Sequence, residues 1–163
     1  MFGLDFLHHI IIGLFAAILI MAALSDGRRL LIPNQLPLSL LILYPAYLLT
    51  GGEWHGGLDL LVGLAAFIGC FGFFVGGVMG GGDVKLFSVV ALWAGTRYGV
   101  DLILATSLIG GAMALVLASP YGIWVPVPMV RSRMFGAAPR PAVPYGIAIA
   151  GAGLLVAWQM LHH

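Results

Sequence analysis

Two aspartates stand out among the residues of this sequence that could do chemistry. Asp26 follows an apolar run that ends at Leu24, and Asp83 follows three consecutive glycines. Two carboxylates that lie close together tend to share one proton, because both are not easily ionised at once. The ionised carboxylate can take a proton from water while the protonated one polarises a peptide carbonyl. A pair of this kind therefore predicts general acid–base hydrolysis without a covalent intermediate.

The composition places these residues in a membrane. Of 163 residues, 61% are hydrophobic and 8% are charged, whereas a soluble domain carries about 25% charged residues. A soluble enzyme or binding module is therefore excluded, and a net charge of +1 excludes a nucleic-acid-binding protein, which needs a basic face. A single cysteine, Cys70, allows neither an intramolecular disulfide nor a cysteine-rich zinc site. No metal site is expected.

The apolar segments predict an all-α, polytopic membrane protein with about six transmembrane helices in one domain, residues 1–163. The segments cover residues 10–24, 36–49, 58–79, 84–94, 102–118 and 143–161. They are apolar on every face, which favours helices over the alternating strands of a membrane barrel. The predicted connections include a polar stretch at 25–29, a turn at 97–101 and a long loop at 119–142.

The basic residues predict the orientation, because Lys and Arg in short loops stay in the cytoplasm. With the N-terminus outside and six crossings, six of the seven basic residues lie inside: Arg28, Arg29, Lys85, Arg131, Arg133 and Arg140. Only Arg97 lies outside. A rival topology, in which the fourth segment is a re-entrant hairpin, leaves four of the seven inside. Six crossings are therefore favoured.

The same topology separates the acidic residues. Four lie outside in solvated positions beside turns: Asp5, Glu53, Asp59 and Asp101. Only Asp26 and Asp83 lie on the cytoplasmic side. The chain between them crosses the membrane once outward and once back, so the two carboxyl groups can meet. Ionisable groups at membrane depth are usually functional. The structural alternatives are an end cap on the first helix for Asp26 and a dipole-stabilised acid in the first helical turn for Asp83.

Three motifs resemble those of the type IV prepilin peptidases, membrane aspartic proteases of the Gly-x-Gly-Asp class. They are Asp26 with Ile32-Pro33-Asn34, then Gly-Gly-Gly-Asp-Val-Lys-Leu at 80–86, and Pro144-Tyr145-Gly146-Ile147-Ala148. The resemblance spans most of the chain and implies that Asp26 and Asp83 are catalytic. It implies that further motif residues bind substrate or support the site: Gly80, Gly81, Gly82, Lys85, Pro33, Asn34, Pro144, Tyr145 and Gly146.

The resemblance also implies a substrate and a location. The substrate would be a prepilin, a precursor with a leader and a hydrophobic N-terminal helix, cut between the two at the cytoplasmic face of the bacterial inner membrane. No cofactor is implied. This chain is similar to the short peptidases of tight-adherence (Flp) pilus systems, because it shows no cysteine-rich insert before its first helix. The resemblance therefore gives no support for the N-methyltransferase activity of longer members.

Several alternatives remain open. A small transporter or channel subunit would explain a glycine run at membrane depth, but not the Pro-Asn motif after Asp26. A structural protein of a secretion apparatus would not need both aspartates. Lys85 cannot share a helix face with Asp83. Either it acts through the electric field of its charge or through contact with substrate, or it is an interfacial basic residue without a role in the reaction. Asn34 and Tyr145 are either site residues or ordinary interfacial residues.

Overall fold

The computed structural model describes residues 2–119, 129–130, 140–141 and 143–162. Its helices are α1 (Phe2–Arg29), α2 (Gln35–Leu49), α3 (Gly57–Val75), α4 (Gly81–Ala118) and α5 (Tyr145–His162). Two short strands, β1 (Met129–Val130) and β2 (Arg140–Pro141), pair antiparallel. Apart from this short ladder, the prediction of a helical protein is confirmed for the described residues.

Four of the helices, α1, α3, α4 and α5, are long and apolar enough to cross a bilayer. Helix α2 is apolar but has 15 residues, which gives a length of about 22 Å. Large apolar side chains lie exposed on the outer faces of these helices, as lipid contact requires. The chain is therefore a membrane protein by helix length and composition. Six crossings and an outer N-terminus stay predictions.

Two predicted connections are wrong, because charged residues at a membrane interface do not by themselves end a helix. The stretch 25–29 is the last turn of α1, so Asp26 is a helical residue. The predicted turn at 97–101 is also helical. Helix α3, in contrast, ends at Val75, four residues before the predicted end. Gly77 follows with a φ of 70°, the left-handed conformation that commonly ends helices.

Helix α4 folds back on itself at Gly95, where φ is 55° and ψ is −156°. A straight helix would separate Asp83 from Gly110 by about 40 Å. Instead, Gly110 lies close to Tyr145: a Cβ added to Gly110 would be 3.7 Å from the tyrosine ring. Gly146, which follows Tyr145 in the chain, lies beside Asp83. The two arms, residues 81–94 and 96–118, therefore run in opposite directions and contain the predicted segments 84–94 and 102–118.

A buried aspartate stabilises the reversal. Asp59 is 2% exposed, and its Oδ1 accepts a hydrogen bond of 2.9 Å from the Thr96 N–H, which opens the second arm. Its Oδ2 accepts one of 2.8 Å from the His55 N–H. The prediction that Asp59 is solvated is therefore wrong. The second arm of α4 begins with backbone N–H groups that have no partner within the helix, and the buried Asp59 carboxylate accepts a hydrogen bond there. Arg97 pairs with Glu53 at the same end of the molecule.

The core lies between α1, α5 and the first arm of α4. Its fully buried side chains include Phe15, Leu19, Leu86, Ile149 and Val156. A Cβ on Gly153 of α5 would lie 2.6 Å from Leu19 Cδ1 and 3.2 Å from Val90 Cγ1. Small residues of this kind let helices approach closely in lipid. The packing brings the end of α1 and the beginnings of α4 and α5 together.

Candidate active site

The first and third motifs meet through Asp26, in the last turn of α1. Asp26 is 3% exposed, and its Oδ2 accepts a hydrogen bond of 2.8 Å from the backbone N–H of Gly146. Gly146 is the second residue of α5, where backbone N–H groups have no partner within the helix. The carboxylate therefore satisfies the start of α5 and interacts favourably with its dipole.

This contact depends on glycine at position 146. A Cβ there would lie 2.8 Å from Asp26 Oδ2, 2.9 Å from Asp26 Cβ and 2.8 Å from Ile32 Cδ1. The expected close approach at Gly146 is thus an approach of side chains from α1 and from the segment after it. Any larger residue would push Asp26 away from the start of α5.

The second motif positions Asp83 in the first turn of α4. Asp83 is 8% exposed, and its Oδ2 accepts a hydrogen bond of 3.2 Å from the Gly80 N–H, as the carboxylate of a capping box does. Its Oδ1 is buried, and no group in the described residues donates to it. One oxygen of Asp83 therefore stabilises the helix start, and the other remains available for a reaction.

The three glycines before Asp83 permit close packing. A Cβ on Gly80 would lie 2.9 Å from Asp83 Oδ2, and one on Gly82 would lie 3.0 Å from the Cβ of Ile32. A Cβ on Gly81 would lie 3.3 Å from the Phe74 ring. The glycine run thus brings the start of α4 against the segment that follows α1.

The structure brings the two aspartates together. The Gly146 N–H, which donates to Asp26, also lies near Asp83, and the charge of Asp26 acts on Asp83. Among the residues described, no lysine or arginine side chain forms an ion pair with either. Two buried carboxyl groups without a basic partner are best accommodated when they hold one proton between them. The arrangement can therefore supply an acid and a base at one point.

A comparison with protein families matches residues 13–115, which contain both aspartates, to the type IV leader peptidase family. The chain belongs to this family. The resemblance stated from the three motifs is thereby confirmed, and the chain is a peptidase. No curated protein and no solved structure gives a significant match. The third motif lies beyond the matched residues, but the structure of this leader peptidase places it against the other two.

Lys85 of the leader peptidase lies outside the carboxylate pair. Its Nζ donates a hydrogen bond of 2.9 Å to Oδ1 of Asn34, so it links the first arm of α4 to the segment between α1 and α2. Half-buried Pro33 begins the turn into α2, where its carbonyl accepts the Leu36 N–H at 3.1 Å. The contact seen for Lys85 is thus with the second half of the first motif.

Ile32 is the site residue that sequence reasoning did not single out. It is buried and lies against both Gly82, which directly precedes Asp83, and Gly146, which donates to Asp26. An apolar residue in an apolar sequence gives little indication of such a role. Its position inside the first motif, just before Pro33, was the one available clue.

Pro144 and Tyr145 complete the third motif. Pro144 is buried and precedes the first residue of α5, close to where proline is favoured in a helix. Tyr145 is half-buried, and it lines an apolar groove between α3 and the second arm of α4. Most of the predicted loop 119–142, with Arg131 and Arg133, lies outside the described residues.

Proposed function

We propose that this chain is an aspartic endopeptidase that removes the leader from type IV pilin-like precursors, with Asp26 and Asp83 as base and acid. The observation that carries the proposal is the meeting of two buried carboxyl groups at the Gly146 N–H in a chain of the leader peptidase family. A transporter can also use buried carboxyl groups, but the family match favours a peptidase.

The proposed reaction begins at Asp26. Both aspartates lie at a helix start, but the hydrogen bond from the Gly146 N–H to Asp26, 2.8 Å, is shorter than the 3.2 Å bond from Gly80 to Asp83, which favours negative charge on Asp26. Asp26 therefore takes a proton from water as the water oxygen attacks the scissile carbonyl carbon. The protonated Oδ1 of Asp83, which no described residue occupies with a hydrogen bond, donates to the carbonyl oxygen. The tetrahedral diol then collapses: Asp83 takes back a proton from one hydroxyl as the carbonyl re-forms, the C–N bond breaks, and the leaving nitrogen takes the proton that Asp26 removed from water.

The supporting residues hold this geometry. Gly80, Gly81 and Gly82 let α4 pack against its neighbours, and the Lys85–Asn34 hydrogen bond fixes the segment after α1. Holding reacting groups in register is a large part of catalysis, since a misplacement of about 1 Å can cost a hundredfold in rate. We assign Pro144 to the start of α5 and Tyr145 to substrate contact.

We further propose the predicted orientation, with the N-terminus outside and the aspartates at the cytoplasmic face of a bacterial inner membrane. The aspartates lie at one end of the bundle, and the Arg97–Glu53 pair lies at the other, beside Asp59. Six crossings put Arg97 and Glu53 on one side of the membrane. The rival with a re-entrant hairpin puts them on opposite sides, which does not fit their contact.

The test is an intact-mass measurement on a type IV prepilin incubated with the purified protein in lipid nanodiscs. We expect one cut between the leader and the hydrophobic helix, with no methyl group added to the new N-terminus, as in a short Flp-type peptidase. A panel of prepilins that all keep their full mass, together with ion flux through liposomes that carry the protein, would replace the proposal with the transporter alternative.

A further inference from the structure

An apolar groove begins beside the two aspartates and runs between α3 and the second arm of α4. Its volume is about 490 Å³. At its near end lie Met79 and Tyr145, which directly precede Gly80 and Gly146, the two residues whose N–H groups contact the carboxylates. Cys70 of α3 lies on the groove wall. The groove is therefore continuous with the candidate active site.

We propose that this groove binds the first turns of the substrate's apolar helix, directly after the scissile bond. This inference rests on the proposed function, in which the cut separates a leader from such a helix. The second arm of α4 lines the groove from Ile103 to Gly110 and beyond, a rise of about 10 Å, or two helical turns. A helix that enters beside Tyr145 thus has its N-terminus at the aspartates.

Two features favour a peptide helix over a lipid chain. Gly69 and Gly111 on the walls, where a Cβ would meet nothing within 4 Å, allow the backbone of another helix to approach closely. The Oγ1 of Thr106, also on the wall, is buried, and no described residue hydrogen-bonds to it. The first N–H groups of a helix lack internal partners. Since threonine adopts two χ1 rotamers in a helix, a rotation turns Thr106 Oγ1 into the groove, where it can accept one of them. An acyl chain has no donor to offer.

The groove can be filled without disturbing the protein. A Cβ on Gly69 or Gly111 would meet nothing within 4 Å, and the same holds for Gly72 on α3, which is not part of the groove wall. Gly69→Leu and Gly111→Leu therefore narrow the groove, while Gly72→Leu is the matched control on the same helix as Gly69.

We expect Gly69→Leu and Gly111→Leu to raise KM for the full precursor by about tenfold or more, the effect of losing one well-packed contact. Gly72→Leu leaves it near the wild-type value. A short peptide that spans the cut but lacks the apolar helix is cleaved equally by all three variants. If Gly69→Leu and Gly72→Leu cleave the full precursor alike, the groove does not bind the helix.

The hydroxyl of Thr106 has its own test. Thr106→Val keeps the shape of the side chain and removes the acceptor, so we expect KM for the full precursor to rise about fivefold, as for one lost hydrogen bond. Thr106→Ser restores the acceptor and the wild-type KM. Equal KM values for both variants would remove Thr106 from the proposal.

The deciding experiment is a disulfide cross-link to Cys70, the one cysteine in the sequence. Eight prepilin variants each carry a single cysteine at one of the first eight positions after the scissile bond. Each variant is mixed with the Asp83→Asn protein and oxidised with copper–phenanthroline. We expect cross-links at positions spaced three or four residues apart, the repeat of one helix face.

Two controls make the outcome specific. In the first, Cys70→Ala removes all cross-links. In the second, Leu108→Cys is added to the Cys70→Ala protein; because Leu108 lies on the exposed face of the second arm, its cysteine gives no cross-link. If wild-type protein cleaves the prepilin but no position cross-links to Cys70, the groove holds something else, such as lipid or a second copy of this chain. If no prepilin is cleaved by wild-type protein, the proposed function itself has failed.

Discussion

The backbone N–H of Gly146 donates a hydrogen bond of 2.8 Å to Oδ2 of Asp26, a residue 120 positions earlier in the chain. This bond joins the last turn of α1 to the first turn of α5. It gives Asp26 a structural role as well as the proposed chemical one, since the carboxylate also caps a helix. Experiments on this site must therefore separate loss of the cap from loss of the charge.

Gly146→Ala tests the close approach at the site. Its Cβ would lie 2.8 Å from Asp26 Oδ2 and 2.8 Å from Ile32 Cδ1, so Asp26 must move. We expect the processing rate to fall about a hundredfold and the stability to fall by about 1–3 kcal/mol, as for an overpacked site. Prepilin processing and thermal unfolding in detergent measure the two effects.

The matched control is Gly13→Ala on α1, where a Cβ meets nothing within 4 Å. This change gives up to about 1 kcal/mol of helix propensity and leaves processing unchanged. Wild-type processing by Gly146→Ala would mean that the observed position of Asp26 is not required for the reaction.

The Lys85–Asn34 hydrogen bond is tested with a double-mutant cycle. Lys85→Met and Asn34→Ala each remove the same bond, so we expect each to lower the processing rate about threefold to tenfold. The double variant should be no slower than either single variant, because the partners act as a unit. Gln35→Ala, next in the chain and exposed, serves as the control. Additive losses would show that Lys85 acts independently, as in direct substrate contact.

Asp59 is predicted to stabilise the protein without taking part in the reaction. Asp59→Ala leaves the N–H groups of His55 and Thr96 without their buried acceptor, which costs about 1–3 kcal/mol. Thermal unfolding should shift downward while the folded enzyme keeps its processing rate. Exposed Asp5→Ala should change neither quantity. A fully folded but inactive Asp59→Ala protein would place a third carboxylate in the mechanism.

The membrane orientation is tested with single cysteines in a Cys70→Ala background. With a membrane-impermeant maleimide, Leu4→Cys, His55→Cys and Arg97→Cys should react only from outside, and Gln35→Cys only from the cytoplasmic side. Each position is exposed in the structure. Labelling of Arg97→Cys from the cytoplasm would support the re-entrant rival, and labelling of Leu4→Cys from the cytoplasm would reverse the orientation.

The sequence was sufficient to locate the helices, though not the ends of α1 and α3, and to find the site motifs, because both depend on local patterns. Apolar runs predicted α2 within one residue of its observed start at Gln35. The glycine run before Asp83 predicted a helix start, since three consecutive glycines rarely continue a helix. The parity of the predicted crossings allowed Asp26 and Asp83 to meet.

The sequence was not sufficient for contacts between distant elements. Asp59 resembled any interfacial acid, and nothing local indicates that it caps the arm that begins at Thr96. The contacts of Ile32 with Gly82 and Gly146 depend on how three helix ends converge. The Lys85–Asn34 bond likewise joins segments whose relative position is set by the packing of α1 and α4. Such pairings follow from tertiary packing, which one sequence does not encode locally.

The most direct test of the central claim is the processing rate of Asp26→Asn and Asp83→Asn with a prepilin that the wild-type protein cleaves. Asparagine keeps an oxygen that accepts the Gly146 or Gly80 N–H, so both variants fold, but neither can serve as acid or base. Asp101→Asn, whose carboxylate binds Gln159 away from the site, is the control. We predict wild-type thermal unfolding for all three variants and loss of cleavage for the first two alone. Cleavage at the wild-type rate by both Asp26→Asn and Asp83→Asn would contradict the two-aspartate mechanism.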